Sequence, residues 1–157
     1  MEDTPANWPA DWRHQARTLL GLTPFMASIG AEILEMGAGA ARARLPYGPK
    51  LVGDPDSGVV HGGAVTALLD QMGGAAVMAA LDHPVPIVTL DLRIDYMKPA
   101  TAGVDIMAEA RCLKVTHEIA FVRGSAYQTD AADPVAICTA TFMLMRGAQA
   151  LRAPAKG

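Results

Sequence analysis

The clearest alternation of apolar and polar residues lies between positions 87 and 97. One parity is apolar, with Val88, Leu90, Leu92, Ile94 and Tyr96, and the other is polar, with Thr89, Asp91, Arg93 and Asp95. Because successive side chains of a strand point to opposite faces, this pattern predicts a half-buried strand. Segments 104–115, 118–128 and 135–145 predict three more strands, joined to one another by short turns. Strands connected in this way form an antiparallel meander.

A long apolar segment precedes the meander, at residues 62–81. Its length suffices to span a membrane, but it contains Asp70, Gln71 and four glycines, so we interpret it as the buried helix of a soluble protein. One such helix followed by an antiparallel sheet predicts the α+β class, with the sheet wrapped on the helix. Because the helix is apolar on nearly all sides, one sheet should not cover it, and we expect a second copy of the chain on the remaining surface.

The N-terminal third of the chain has a weaker pattern. Residues 9–20 predict a short covering helix, and residues 28–36 and 40–45 predict two strands with a glycine-containing turn between them. Residues 46–58 are rich in Gly, Pro, Asp and Lys, which predicts a loop that leads into the long helix.

At 157 residues, the chain has the length of one domain and can bury a core without disulfides or metals. We place that domain at 25–146, between a tail with the covering helix at 1–24 and a C-terminal tail at 147–157. The net charge of −3, without any Lys/Arg run, excludes a nucleic-acid-binding protein. Cys112 and Cys138 lack zinc-ligand spacing, and no secretion signal is visible, which predicts a reduced, cytoplasmic protein with no metal site and no membrane partner.

The sequence His61-Gly62-Gly63 stands at the start of the long helix. The first N–H groups of a helix lack intrahelical partners, and glycines let another group approach the backbone closely. This arrangement favours an anion or oxyanion site. The alternative is that the two glycines only start the helix or permit tight packing.

Asp70 is the only formally charged residue between His61 and Leu81. Desolvation disfavours the charged form of a buried acid, so an acid kept in an apolar helix is often a base near neutral pH. The alternative is a carboxylate satisfied by an Arg or by backbone donors. Asp70 lies eight residues beyond Gly62, about 12 Å along the helix axis, so one helix cannot bring both to the same carbonyl. If both act on one substrate, they come from two subunits, with two shared sites per dimer.

These residues resemble the hotdog-fold acyl-CoA thioesterases of the PaaI type, in the 4-hydroxybenzoyl-CoA thioesterase-like superfamily. The resemblance rests on His61-Gly62-Gly63 followed by Asp70, and on the segment from Thr89 to Ala100 that ends in Tyr-x-x-Pro-Ala. It implies a long central helix wrapped by a curved antiparallel sheet of five or six strands. It also implies a homodimer with shared active sites, further pairing of dimers into a tetramer, an acyl-CoA substrate and no cofactor apart from the coenzyme A of that substrate.

Carried over by position, the resemblance gives Asp70 the role of nucleophile or general base and the Gly62 N–H of the partner subunit the role of oxyanion donor. His61 would hold the turn, and Thr89 would position the attacking water, unless Thr89 is only a strand residue on a solvated face. Many relatives have an Asn six residues before the His, where this chain has Pro55, and Asp54 is the candidate replacement.

The resemblance also implies a set of substrate-binding residues. They are Gly63, Val60, Leu90 and Arg123, with Arg123 chosen as a contact for the phosphates of coenzyme A.

The sequence leaves other functions open. A noncatalytic acyl-CoA or lipid-binding module could use the same fold. A hotdog hydratase or dehydratase ranks last because its catalytic His and partner carboxylate cannot be placed here. A purely structural dimer gives no reason to keep Asp70 in an apolar helix. The acyl chain is not determined by the sequence.

Overall fold

The computed structural model describes residues 12–21 and 23–146. The tail expected at residues 1–8 and the tail expected at 147–157 lie outside the described residues. The helices are α1 Trp12–Gly21, α2 Pro24–Ile29 and α3 Gly62–Ala80. The strands are β1 Glu32–Gly37, β2 Ala40–Leu45, β3 Val52–Asp54, β4 Val59–Val60, β5 Ile87–Tyr96, β6 Ile106–Val115, β7 Ile119–Tyr127 and β8 Ala136–Leu144.

Six of the strands form one antiparallel sheet in the order β1-β2-β6-β7-β8-β5, and α3 packs across its inner face. The predicted α+β hotdog architecture is confirmed. The helix buries Val65, Leu68, Leu69 and Met72 almost completely, against an inner sheet face that is rich in alanine. Small side chains on the sheet let a long helix lie close to the strands, which keeps the core densely packed.

Glycines in α3 bring the helix still closer to the sheet. A Cβ added at Gly73 would lie 2.9 Å from Cζ of the buried Phe142 ring, and one at Gly74 would lie 3.5 Å from Cδ1 of Ile87. The pair Gly73-Gly74 therefore serves helix packing. Although α3 is long and apolar enough to cross a membrane by length and composition, its Val65, Leu68 and Met72 are packed in this core.

Two N-terminal predictions are wrong. The predicted strand at 28–36 begins only at Glu32, because Pro24 starts the helix α2, which runs to Ile29. Gly30 ends that helix in the left-handed conformation, with φ of 78°. The predicted loop at 46–58 contains a short 3₁₀ turn and strand β3, which forms a hairpin with β4 directly after it.

A β-bulge at Leu90 interrupts the alternation of inward and outward side chains along strand β5. Thr89 pairs with Phe142, whereas Asp91 pairs with Thr141, so Leu90 has no partner of its own. Phe142 is buried against α3, and Thr89 therefore faces the helix. Beyond the bulge, Leu92, Ile94 and Tyr96 face the helix, as predicted. The prediction that Thr89 shares a face with Asp91 is wrong, and so is the prediction that Val88 points to the core. The bulge shifts the inside–outside alternation by one residue, so positions before Leu90 have the opposite orientation from the one predicted.

Candidate active site

Nearly all backbone N–H groups in the N-terminal turn of α3 have hydrogen-bond acceptors. His61 is the N-cap, and its Nδ1 accepts a 2.9 Å hydrogen bond from the Gly63 N–H. The Ala64 N–H donates to the His61 carbonyl at 3.0 Å, and the His61 N–H donates to the Leu51 carbonyl at 2.7 Å. Across the described ranges, the Gly62 N–H is the one donor among residues 61–64 without an acceptor. It lies at the positive end of the helix dipole and is suited to an oxyanion.

Tyr96 holds the other side of this turn. Its hydroxyl donates to the Gly62 carbonyl at 2.6 Å and accepts from the Thr66 hydroxyl at 2.9 Å. The peptide group between Gly62 and Gly63 is thus fixed at both ends, by Tyr96 on its carbonyl and by His61 on its N–H. A Cβ at Gly62 would lie 3.1 Å from the Tyr96 hydroxyl oxygen, so a side chain there would require the tip of Tyr96 to shift by a few tenths of an ångström.

The β3–β4 hairpin supports the same turn from outside. A Cβ at Gly53 would lie 2.8 Å from the His61 Cα, which is a backbone atom with no freedom to move aside. Asp54 closes the hairpin, where its carboxylate accepts from the Asp56 N–H and from the Ser57 hydroxyl. The Ser57 hydrogen bond, followed by that of Asp56, lowers the pKa of Asp54. The structure therefore gives Asp54 a role in the hairpin, and it places no Asp54 contact with Asp70.

Asp70 lies two turns further along α3, where the helix borders the edge strand β5. The Thr89 hydroxyl donates to Asp70 Oδ1 at 2.9 Å, which the bulge at Leu90 makes possible. Within the described part of the chain, Asp70 has no ion pair. It is partly exposed in the single chain, so the expected burial among hydrocarbon side chains is not found within one subunit.

The inner face below Asp70 carries a second titratable group, Cys138. Burial raises the pKa of the Cys138 thiol to about 11, and the nearby Asp70 carboxylate adds to that rise. The thiol therefore stays neutral at physiological pH, and a neutral thiol is a poor nucleophile. This leaves the Asp70 carboxylate as the candidate reactive group at this position.

An apolar cavity of about 350 Å³ adjoins the turn and is lined by Val60, Gly62, Val65, Tyr96 and Val135, among others. Val60 and Gly62 therefore line the same cavity, and the substrate contact of Val60 stays a prediction. The exposed Gly63 and the bulge residue Leu90 lie at opposite ends of the site, near the turn and near Asp70 respectively.

Arg123 is the predicted site residue that the fold separates from the others. It alternates with the buried Val122 on β7 and faces away from α3, on the outer face of the sheet. The structure does not bring it to Asp70 within one subunit. Conversely, the sequence pattern assigns no role in the site to Tyr96 or Thr66. The one sequence signal for Tyr96 was its place as an aromatic residue at the end of the strand that contains Thr89.

A family model described as the thioesterase superfamily matches residues 57–134, which include the α3 turn, Asp70 and Thr89. The chain belongs to this superfamily, with the hotdog fold and PaaI-like features.

Solved structures and curated relatives agree with this placement. A protein of Pseudomonas aeruginosa is 39% identical with a TM-score of 0.76, and the match covers 84% of this chain and 98% of that one. A variant of the phenylacetic acid degradation protein PaaI from Thermus thermophilus is 27% identical with a TM-score of 0.68, over 78% and 100% of the two chains. Acyl-coenzyme A thioesterase 13 from Homo sapiens is 36% identical over 64 residues, which are 41% of this chain and 45% of that protein. The chain spans 60% of the length of its Halobacterium salinarum relative.

Proposed function

We propose that the protein hydrolyses an acyl-CoA thioester to the free acid and coenzyme A. The observation that carries the proposal is the pair of groups on α3: a carboxylate, Asp70, oriented by Thr89, and an N–H without an acceptor at Gly62. The name of the human relative, an acyl-coenzyme A thioesterase, supports the substrate class.

The chemistry follows from these two groups. Asp70 takes a proton from a water molecule held near Thr89, and the water oxygen attacks the thioester carbonyl carbon. The Gly62 N–H donates to the oxyanion that develops on the carbonyl oxygen. The C–S bond then breaks, and the thiolate of coenzyme A receives the proton from Asp70. In the alternative route, the Asp70 carboxylate attacks the carbonyl carbon and the C–S bond breaks, so that the thiolate of coenzyme A leaves and takes a proton from water. A water molecule then hydrolyses the resulting anhydride, which releases the acid and restores Asp70.

A second copy of the chain completes the proposed site. Eight residues of helix separate Gly62 from Asp70, about 12 Å, so the two groups reach one carbonyl only from different subunits. Strand β5 is an edge of the sheet, with unpaired backbone groups and an exposed Leu90. Near Asp70, α3 carries the small and partly exposed Thr66 and Ala67, which let an antiparallel helix approach closely. We infer a homodimer with two shared sites, and a dimer of dimers stays a prediction of the resemblance.

The experiment that tests this function compares Asp70→Asn with Asp91→Asn. Both variants remove one carboxylate, but Asp91 lies on the outer face of β5. We measure thiol release from short, medium, long and aromatic acyl-CoAs, together with the oligomeric state by light scattering. We expect Asp70→Asn to lower kcat by about 10²- to 10⁴-fold with the oligomer intact, and Asp91→Asn to stay near the wild type.

Two results would count against the hydrolase. Full activity of Asp70→Asn would remove the carboxylate from the mechanism. Retention of intact acyl-CoA by the wild type, without release of thiol from any substrate in the panel, would favour the noncatalytic binding module.

A further inference from the structure

The outer face of the sheet contains one pair of like charges. Arg111 on β6 and Arg123 on β7 are direct partners in the antiparallel ladder, and both side chains point away from α3. Side chains in such a pair have Cβ atoms about 5 Å apart, and like charges at this position destabilise the sheet. The arrangement therefore favours an anion between the two guanidinium groups.

The other arginines on this face are neutralised. Arg42 pairs with Glu35, Arg44 pairs with Glu32, and Arg93 pairs with Asp95. For the residues that the structure describes, neither Arg111 nor Arg123 has a carboxylate oxygen within the 4.0 Å of an ion pair. The two unneutralised arginines are thus the two that face each other.

Arg111 and Arg123 also line a cavity of about 770 Å³ between α1 and strands β1, β2, β6 and β7. This volume lies within the usual range of small-ligand sites. Four arginines and two glutamates line it, and one of those glutamates, Glu35, is already paired with Arg42. Glu109 and Ser125 stand beside the arginine pair and offer acceptors for hydroxyl or amino groups.

We propose that this cavity binds a phosphate-bearing small molecule of nucleotide size. Two guanidinium forks match the several oxygens of a phosphate or diphosphate better than those of a single carboxylate. Glu109 and Ser125 hold the hydroxyl or amino groups of the same molecule. The site lies on the opposite face of the sheet from Asp70 and differs from the apolar cavity at Gly62.

The test is calorimetric titration of the full chain with pyrophosphate and with ADP. The variant Arg123→Gln removes one half of the pair, and Arg93→Gln is the matched control, since it removes an arginine of the same face that is already neutralised by Asp95. We expect both probes to bind the wild type, with about tenfold weaker binding in Arg123→Gln and unchanged binding in Arg93→Gln. Failure of both probes to bind the wild type at millimolar concentration, or equal losses in the two variants, would overturn the proposal.

Thermal unfolding gives an independent readout of folding. Without ligand, Arg123→Gln should unfold at the wild-type temperature or above it, because the repulsion is gone. Pyrophosphate should raise the unfolding temperature of the wild type by more than that of the variant. If Arg123→Gln does not fold, Arg111→Gln removes the other half of the same pair and takes its place.

The phosphate has two sources, the nucleotide end of an acyl-CoA bound to a neighbouring copy or a separate nucleotide. The choice between these two sources rests on the proposed function, whereas the titration with pyrophosphate and ADP tests the site without it. Kinetics of Arg123→Gln with an acyl-CoA and with the same acyl thioester of N-acetylcysteamine, which lacks the nucleotide, separates them. A change in the ratio of the two KM values assigns the site to the substrate, and an unchanged ratio with lost ADP binding assigns it to a separate ligand.

Discussion

The two ends of the candidate site are held in different ways. At the start of α3, His61, Tyr96 and the Leu51 carbonyl fix the turn through several hydrogen bonds, and one N–H remains free. Two turns later, Asp70 is oriented by one side-chain bond from Thr89. The proposed oxyanion donor is therefore held by several hydrogen bonds, whereas the carboxylate depends on one hydroxyl that a bulge turns inward. Loss of a single hydrogen bond should matter more at Asp70 than at Gly62.

The largest effect is expected at the Asp70 end. Thr89→Val removes the hydroxyl and keeps the shape, and a hydrogen bond to a charged group contributes about 1.5–3 kcal/mol, so kcat should fall by about 10- to 100-fold. Thr141→Val is the control, because Thr141 faces the outer side of β8. Steady-state kinetics of both variants checks this, and equal rates for Thr89→Val and wild type would show that Asp70 needs no orienting bond.

At the α3 turn, the close backbone contact between Gly53 and His61 is the feature most sensitive to substitution. Gly53→Ala places a Cβ against the His61 Cα, so we expect the free energy of unfolding to fall by about 1–3 kcal/mol. Gly48→Ala is matched, since a Cβ there meets no atom within 4 Å. Chemical denaturation of both variants measures the difference, and equal stability would mean that the hairpin does not support the turn.

The smallest effect is expected from a single bond at the α3 turn. Tyr96→Phe removes the hydroxyl bonds to Gly62 and Thr66 but leaves the His61 bond in place. Only the bond to the Gly62 carbonyl acts on the peptide group of the site, and a neutral hydrogen bond contributes about 0.5–1.5 kcal/mol, so kcat should fall by about two- to tenfold. Tyr127→Phe, on the outer face of β7, is the control. If Tyr96→Phe reduced kcat more than Thr89→Val, the claim that a lost hydrogen bond matters more at Asp70 than at Gly62 would be contradicted.

The fold could be predicted from local patterns. The apolar run of α3 and the alternation along β5 to β8 are periodicities within one segment, and they predicted four strands and the helix with boundaries within a few residues. The N-cap His61 with its following glycines is equally local, and it located the helix start. The helix at residues 24–29 was not predicted because it is shorter than two turns and cannot repeat an apolar pattern, so only Pro24 and Gly30 indicated it.

The orientation of Thr89 could not be predicted in the same way. A bulge depends on how two strands pair, and the pairing of β5 with β8 is not visible in either segment alone. The Tyr96 hydroxyl likewise meets Gly62 and Thr66 only after the sheet closes on the helix. The exposed side of Asp70 reflects how far the six strands wrap around α3, which is a property of the whole sheet.

Subunit complementation tests the central proposal, a site that combines Asp70 of one subunit with Gly62 of its partner. Gly62→Pro removes the N–H at the first helical position, where proline is tolerated, and Gly62→Ala adds a Cβ but keeps the N–H. In a mixed dimer of Asp70→Asn and Gly62→Pro chains, one of the two sites contains both intact groups. Random mixing of the two inactive variants should therefore restore about one quarter of the wild-type activity, and the Gly62→Ala chain alone should retain activity. Activity no greater than the sum of the two parents would contradict a shared site.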